Sequence, residues 1–161
     1  MYRDGILPFQ FDRMPLLARG IRGRRRRNLM RVGVNRLLSI GPALGYPYMA
    51  HVSPAGVCNL HCALCPVNDP AMRGKGLLPL ATFRRFLDQV GPYLLHMILW
   101  GWGEPLLNPE LPQMCADARA RDIVTVTSTN LNHLDRPMGR ELVACGLDAM
   151  IVALDEAHAF P

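Results

Sequence analysis

The sequence predicts an α/β fold of parallel strands joined by crossover helices, and three observations lead there. Apolar, β-branched runs alternate with stretches whose apolar residues recur at helical spacing. The runs starting near Met97, Ile123 and Ala149 recur every 26 residues, and such alternation implies a parallel sheet with right-handed crossovers. The chemically distinctive residues fall where strands run out into loops, which is where α/β folds place their sites.

The elements follow in order. A strand over residues 48–53 delivers the chain to a cysteine-rich loop. Leu80, Phe83, Leu87 and Val90 mark a helix that Gly91-Pro92 ends. Residues 96–100, His-Met-Ile-Leu-Trp, form a compact apolar strand. Asn108 is expected to cap the next helix with Pro109 in its first position, and Leu111, Met114, Cys115 and Ala118 to form its buried face. Residues 123–127 are β-branched and strand-like. Asp135 and Pro137 open another helix, Gly146 closes it, and residues 149–154 supply a fourth strand.

At 161 residues with half of them apolar, the chain has the makings of one cored domain. Its net charge of +5 is unevenly spread. Up to Arg36 there are ten arginines against Asp4 and Asp12, a local charge of +8, whereas the rest carries −3. The chain therefore divides into a basic arm with an amphipathic helix over 1–47 and a body over 48–161. Arg22 and the run Arg24-Arg25-Arg26-Arg27 could meet nucleic acid, acidic lipid or an acidic partner. The preferred reading is a solvated flank before a helix. Met30, Val34, Leu37 and Leu38 share one helical face, opposite Arg31, Asn35 and Arg36, which suits packing on the body or on a partner. A membrane-surface role is the weaker option. No stretch is long and apolar enough to span a bilayer, and Arg31 and Arg36 interrupt any secretory core. Asp4 and Asp12 argue against an organellar transit peptide. Five cysteines, an odd count, favour a reducing, cytoplasmic setting and metal chemistry over disulfides. Cys115 and Cys145 are expected to be small buried residues.

Cys58-Asn-Leu-His-Cys62-Ala-Leu-Cys65 is the most informative stretch. Its spacing lets three thiolates converge on one metal centre while a fourth corner stays open. A structural zinc usually takes four ligands in two pairs, so three cysteines point to an iron–sulfur cluster with one iron free. His61 sits inside this loop and is expected to be exposed, and His51, His96, His133 and His158 show no metal-ligand spacing. Gly103-Glu104-Pro105 follows about forty residues later.

Together, in this order, these two motifs resemble the radical S-adenosylmethionine (SAM) superfamily, from about Met49 to the end of the chain. The resemblance implies a partial TIM-type (β/α)6 barrel, here cut off after about four strands. The last two units would be missing and turnover by this piece alone is not expected. It implies a 4Fe-4S cluster on Cys58, Cys62 and Cys65, with the SAM amine and carboxylate on the fourth iron. Reductive cleavage of SAM would give a 5′-deoxyadenosyl radical that abstracts hydrogen from a substrate. Residue 64, next to the adenine in the family, is usually aromatic and here is Leu64. The family's Gly-Gly-Glu-Pro motif binds the SAM amino group, and here Trp102 replaces the first glycine. Trp102, Gly103 and Glu104 are thus expected at the cofactor, Glu104 accepting from its ammonium and Gly103 letting backbone approach. Thr129 and Asn130 resemble the polar strand end facing the SAM ribose or carboxylate. Asp155 has lost the flanking serine and glycine of relatives and is not assigned. A flavodoxin- or ferredoxin-like electron donor is implied, and a peptide is one candidate substrate.

Two rivals remain. Asp155-Glu-Ala-His158 matches a helicase acidic motif, but the chain has no phosphate-cradling G-x4-G-K-[ST] loop, since Gly74-Lys75-Gly76 lacks its spacing and hydroxyl. The other is a non-catalytic zinc or iron–sulfur module that binds nucleic acid through the arginine-rich arm.

Overall fold

The computed structural model describes residues 7–11, 14–39, 41–63, 65–69, 71 and 76–154. Its centre is a four-stranded parallel sheet in the order β3-β4-β5-β6, with β3 Met49–His51, β4 His96–Ile98, β5 Val124–Thr129 and β6 Ala149–Val152. Met49 pairs with His96, His96 with Val124, and Val126 with Ala149, so each strand adds in sequence order. That is the alternating pattern the 26-residue period implied, and the sheet is open rather than closed into a barrel. Strand boundaries differ modestly from expectation: β5 runs two residues further than 127, and β4 stops at Ile98, although Leu99 N still donates to Val126 O at 2.8 Å.

The crossover helices form for local reasons that the sequence displays. α2, Leu80–Val90, ends at Gly91 as expected and buries Phe83 and Leu87. α4, Arg136–Ala144, is capped by the Asp135 carboxylate, which accepts from Met138 N at 2.8 Å, and Gly146 takes a positive φ of 77° just past its end. α3, Leu111–Arg119, buries Leu111, Met114, Cys115 and Ala118. These faces meet Leu94, Met97, Leu99, Leu106 and Ile123 in one core, each large side chain contributing about 1.5–3 kcal/mol of burial. The start of α3 needs correcting. A 3-10 turn over Pro105–Leu107 comes first, and Glu110, not Asn108, is the residue before the helix. Asn108 is buried and does longer-range work described below.

The N-terminal region departs most from expectation. Leu7–Phe11 (β1) and Met14–Ala18 (β2) pair as an antiparallel hairpin, for which the sequence offered no strong turn signal. α1, Gly23–Leu38, then packs through Arg25 and Asn28, the buried residues of the helix, and leaves Met30, Val34, Leu37 and Leu38 exposed. The expected apolar packing face therefore points outward. The inward seam runs Ile21, Arg25, Asn28, Val32, Asn35, with 4-3-4-3 spacing, the periodicity of a helix face. It is held by polar contacts. Asn28 exchanges two hydrogen bonds with the Tyr46 backbone, at 2.9 and 2.8 Å, and Tyr46 stacks on Tyr93 with centroids 4.2 Å apart. Arg25 donates to Gly91 O at 3.1 Å and to Arg121 O at 2.5 Å. Those carbonyls lie just past the ends of α2 and α3, in the connections that lead to β4 and β5. One arginine of the run is thus an internal anchor at the N-terminal edge of the sheet, not part of a solvated flank. Among the described residues no helix is long and apolar enough to cross a membrane.

Candidate functional site

The site lies at the opposite, C-terminal edge of the strands. There a cavity of roughly 230 Å3 is lined by Cys58, Cys62 and Cys65 from the loop after β3, Trp102, Gly103 and Glu104 from the loop after β4, and Thr129 and Asn130 from the end of β5. Residues as far apart in sequence as Cys58 and Ala153 meet here because parallel strands deliver their outgoing loops to one edge.

The cysteine loop is fastened at its base. Ala55 and Leu77 form an antiparallel bridge, Gly56 N donates to Gly76 O at 2.9 Å, and Leu78 N donates to Pro54 O at 2.8 Å. Asn108 ties both ends of the loop to the following turn: its Nδ2 donates to Pro54 O at 2.9 Å and Leu78 O at 3.0 Å, while its Oδ1 accepts from Glu110 N. The loop then lies directly against the Gly-Trp-Gly-Glu-Pro segment, where Glu104 N donates to Val57 O at 2.8 Å. Gly103 is required here, because a Cβ would collide with the carbonyl oxygens of Ala55 and Val57, and a Cβ on Gly101 would collide with Ser53. The glycine expected to admit a ligand thus also admits the protein's own backbone.

Glu104 is the hub. It is only 3% exposed. Its Oε1 accepts from Thr129 Oγ1 at 2.6 Å and Leu106 N at 3.0 Å, and its Oε2 accepts from Asn130 N at 2.9 Å. A carboxylate offers about four acceptor positions, so one direction on Oε2 remains for a donor in the cavity. Thr129, also buried, commits its hydroxyl to Glu104 and accepts from Leu131 N at 3.0 Å. Asn130 reaches the cysteine loop, its Nδ2 donating to Asn59 Oδ1 at 2.9 Å and approaching Cys58 Sγ at 3.8 Å. Leu60 N also points at Cys58 Sγ, at 3.4 Å, and Cys65 Sγ lies 4.0 Å from Trp102 O. Trp102 stands mostly exposed at the rim.

All the expected site residues but one therefore converge. Leu64 and Asp155, the acidic motif beginning there, and Gly74-Lys75 lie outside the described residues. Asn59 and Asn108 were missed. Asn108-Pro109 read locally as a helix cap, and the long-range partners that give it its role leave no local signal. His61 is exposed, as expected, and Cys115 is fully buried with Cys145 packed against it. The Cys115 thiol is held up by its hydrogen bond with Cys145 and by burial, and that same bond brings Cys145 down to about 7. Among the described residues no three of His, Cys, Asp and Glu close to single-ion spacing. A multi-iron cluster attaches each thiolate to a different iron, so it asks only that three thiols ring one cavity.

Known proteins are similar to this chain. The model of the radical SAM superfamily matches residues 52–159. The chain is 31% identical over 98 residues to Fe-coproporphyrin III synthase of Methanosarcina barkeri (strain Fusaro / DSM 804), which covers 61% of this chain and 25% of that protein. The chain thus spans about a quarter of the length of that curated relative. Among solved structures, BtrN in complex with AdoMet and 2-DOIA superposes with a TM-score of 0.59 at 21% identity, over 66% of this chain and 45% of that one. Streptococcus suis SuiB bound to precursor peptide SuiA superposes with a TM-score of 0.53 at 20% identity, over 73% and 26%. At such identities these structures speak to the fold alone. With two thirds of its length matched by the family's model and the motif residues gathered in one cavity, the chain belongs to the radical SAM superfamily.

Proposed function

We propose that this protein is a radical SAM enzyme. Cys58, Cys62 and Cys65 would hold a 4Fe-4S cluster, and Trp102, Gly103, Glu104, Thr129 and Asn130, with Leu64, would bind SAM. The observation that carries the reading is the shared cavity: three thiols and a buried carboxyl with one free acceptor direction line the same space. When bound, the cluster and SAM together supply one-electron cleavage of SAM to a 5′-deoxyadenosyl radical that abstracts hydrogen from substrate.

The chain's own residues do the positioning. Glu104, fixed by three donors, offers its remaining acceptor direction to an ammonium without having to reorganise. Asn130 links that carboxyl to the cysteine loop through Asn59, joining cofactor seat and cluster loop by hydrogen bonds. Leu60 N and Asn130 Nδ2, both directed at Cys58 Sγ, hold that sulfur at the cavity.

The rest of the reading is equally a proposal: residues 48–161 as part of the catalytic core, with 1–47 as a basic arm; a flavodoxin- or ferredoxin-like donor; a cytoplasmic location; and a peptide among the candidate substrates. SuiB, whose fold is similar, is described as bound to a precursor peptide, whereas the sequence relative named above is a synthase of Fe-coproporphyrin III.

Anaerobic reconstitution with iron and sulfide, then metal analysis and electron paramagnetic resonance with and without SAM, tests this. A 4Fe-4S signal that changes on adding SAM is expected. Replacing Cys58, Cys62 or Cys65 by Ala should abolish the cluster, and Cys115→Ala and Cys145→Ala should leave iron content unchanged. Unchanged iron in the first three variants would sink the assignment, and zinc in place of iron would return the case to a non-catalytic metal module.

A further inference from the structure

The outward face of α1 is the feature that the site does not absorb. Leu37 is 84% exposed, Leu38 64%, Met30 54% and Val34 46%. They recur at i, i+4, i+7 and i+8, so they form a single stripe. Beside it runs a second stripe, Arg24, Arg27 and Arg31, at i, i+3 and i+7. These three arginines, with Asn28 and Tyr93, line a polar cleft of about 290 Å3. Arg24 lies 5.9 Å from the centre of the Tyr93 ring. Among the described residues no ion pair engages any of the three, the pairs present involving Arg19, Arg84, Arg119 and Arg121. The sequence contains no Asp or Glu between Asp12 and Asp69 that could neutralise them locally.

We infer that α1 docks the protein on an anionic phospholipid surface, the Met30/Val34/Leu37/Leu38 stripe entering the acyl boundary and the Arg24/Arg27/Arg31 cleft taking lipid phosphates. The two chemistries side by side select this partner. A nucleic acid would meet the arginines but leave four aliphatic side chains unburied. A second copy of the chain would cover the aliphatic stripe but brings no acidic residue on its own α1 to meet the arginines. A bilayer interface accepts both stripes of a basic amphipathic helix. The placement fits as well, since α1 sits at the N-terminal edge of the sheet through Arg25, and the cysteine cavity opens at the other edge. Nothing in this proposal depends on the cluster.

Vesicle co-sedimentation of the full chain tests it. The protein should bind phosphatidylcholine vesicles containing about 30 mol % phosphatidylglycerol, bind pure phosphatidylcholine far less, and release with added salt. The triple variant R24Q/R27Q/R31Q should bind about a hundredfold more weakly, and L37S/L38S at least about tenfold more weakly. These side chains are solvent-facing, so both variants should keep the parent's circular dichroism and melting temperature. If a variant did unfold, salt release and lipid selectivity of the parent still decide. Equal binding to neutral vesicles, or unchanged binding in a folded variant, would overturn the proposal. So would tighter binding to an oligonucleotide than to anionic vesicles, or a dimer that L37S/L38S dissolves.

Discussion

The two edges of the sheet are built on the same device with opposite sign. At the C-terminal edge a buried carboxyl, Glu104, gathers the hydrogens of Leu106 N, Thr129 Oγ1 and Asn130 N. At the N-terminal edge a buried guanidinium, Arg25, gathers the carbonyls of Gly91 and Arg121. Those carbonyls follow the C-terminal ends of α2 and α3, where helix dipoles favour a cation. Each hub ties together loops that the parallel topology brings near. They differ in what is left over. Glu104 keeps an unused acceptor position and lines a cavity, whereas Arg25 is packed under Gly20, where a Cβ would strike its guanidinium. A hub with spare valence facing open space can serve a ligand, and a hub closed over by backbone can serve only the fold.

Removing each hub tests that distinction. Glu104→Ala strands three donors, two of them deep in the sheet edge, and should cost about 3–5 kcal/mol of stability, read by urea unfolding. It should also abolish SAM binding by the reconstituted protein. A variant that unfolds at the parent's midpoint would remove the hub role, and one that still binds SAM normally would remove the ligand role.

Arg25→Met keeps the aliphatic stem but strands two helix-end carbonyls, at a cost of about 2–3 kcal/mol. Cluster and SAM binding, measured below the unfolding range, should be unaffected. Arg26→Ala, its exposed neighbour, should change stability by no more than about 0.5 kcal/mol. Equal effects at 25 and 26 would restore the reading of the whole run as a solvated flank.

The contrast also explains what the sequence could and could not reveal. α2 and α4 were legible because their signals are local: Gly91 after Val90, Asp135 three residues before Met138, Gly146 past Cys145. The cavity was legible because its chemistry is spelled in two short motifs. Arg25 was not, since four consecutive arginines look alike until a fold selects the one that points inward. The same holds for α1 as a whole, which buries Arg25 and Asn28 and turns its apolar stripe outward. There the usual inference from hydrophobicity to burial ran backwards, because carbonyls at two helix ends and the Tyr46 backbone offered Arg25 and Asn28 better partners than solvent did. The hairpin over Leu7–Phe11 and Met14–Ala18 hides for another reason: Pro8 and Pro15 stand inside its strands, and a proline there argues against a strand.

A smaller effect separates the edges by pH. His96 opens β4 at the N-terminal edge, its backbone N donating to Tyr48 O at 3.3 Å, and its side chain is buried. Burial lowers its pKa from 6.5 to about 4, so the folded protein keeps the ring neutral where an unfolded chain would protonate it. Between these values the unfolded state binds more protons, and stability must rise with pH. The contribution is therefore complete above about pH 6.5 and is lost as the pH falls toward 4, by about 3 kcal/mol. His96→Gln removes the titration while keeping a polar side chain. The stability gap between parent and variant should consequently narrow, or reverse, by that amount between pH 7 and pH 4. Carboxylates titrating in the same range affect both proteins alike and cancel in the comparison. Parallel pH profiles would show that the ring is free to charge in the folded state.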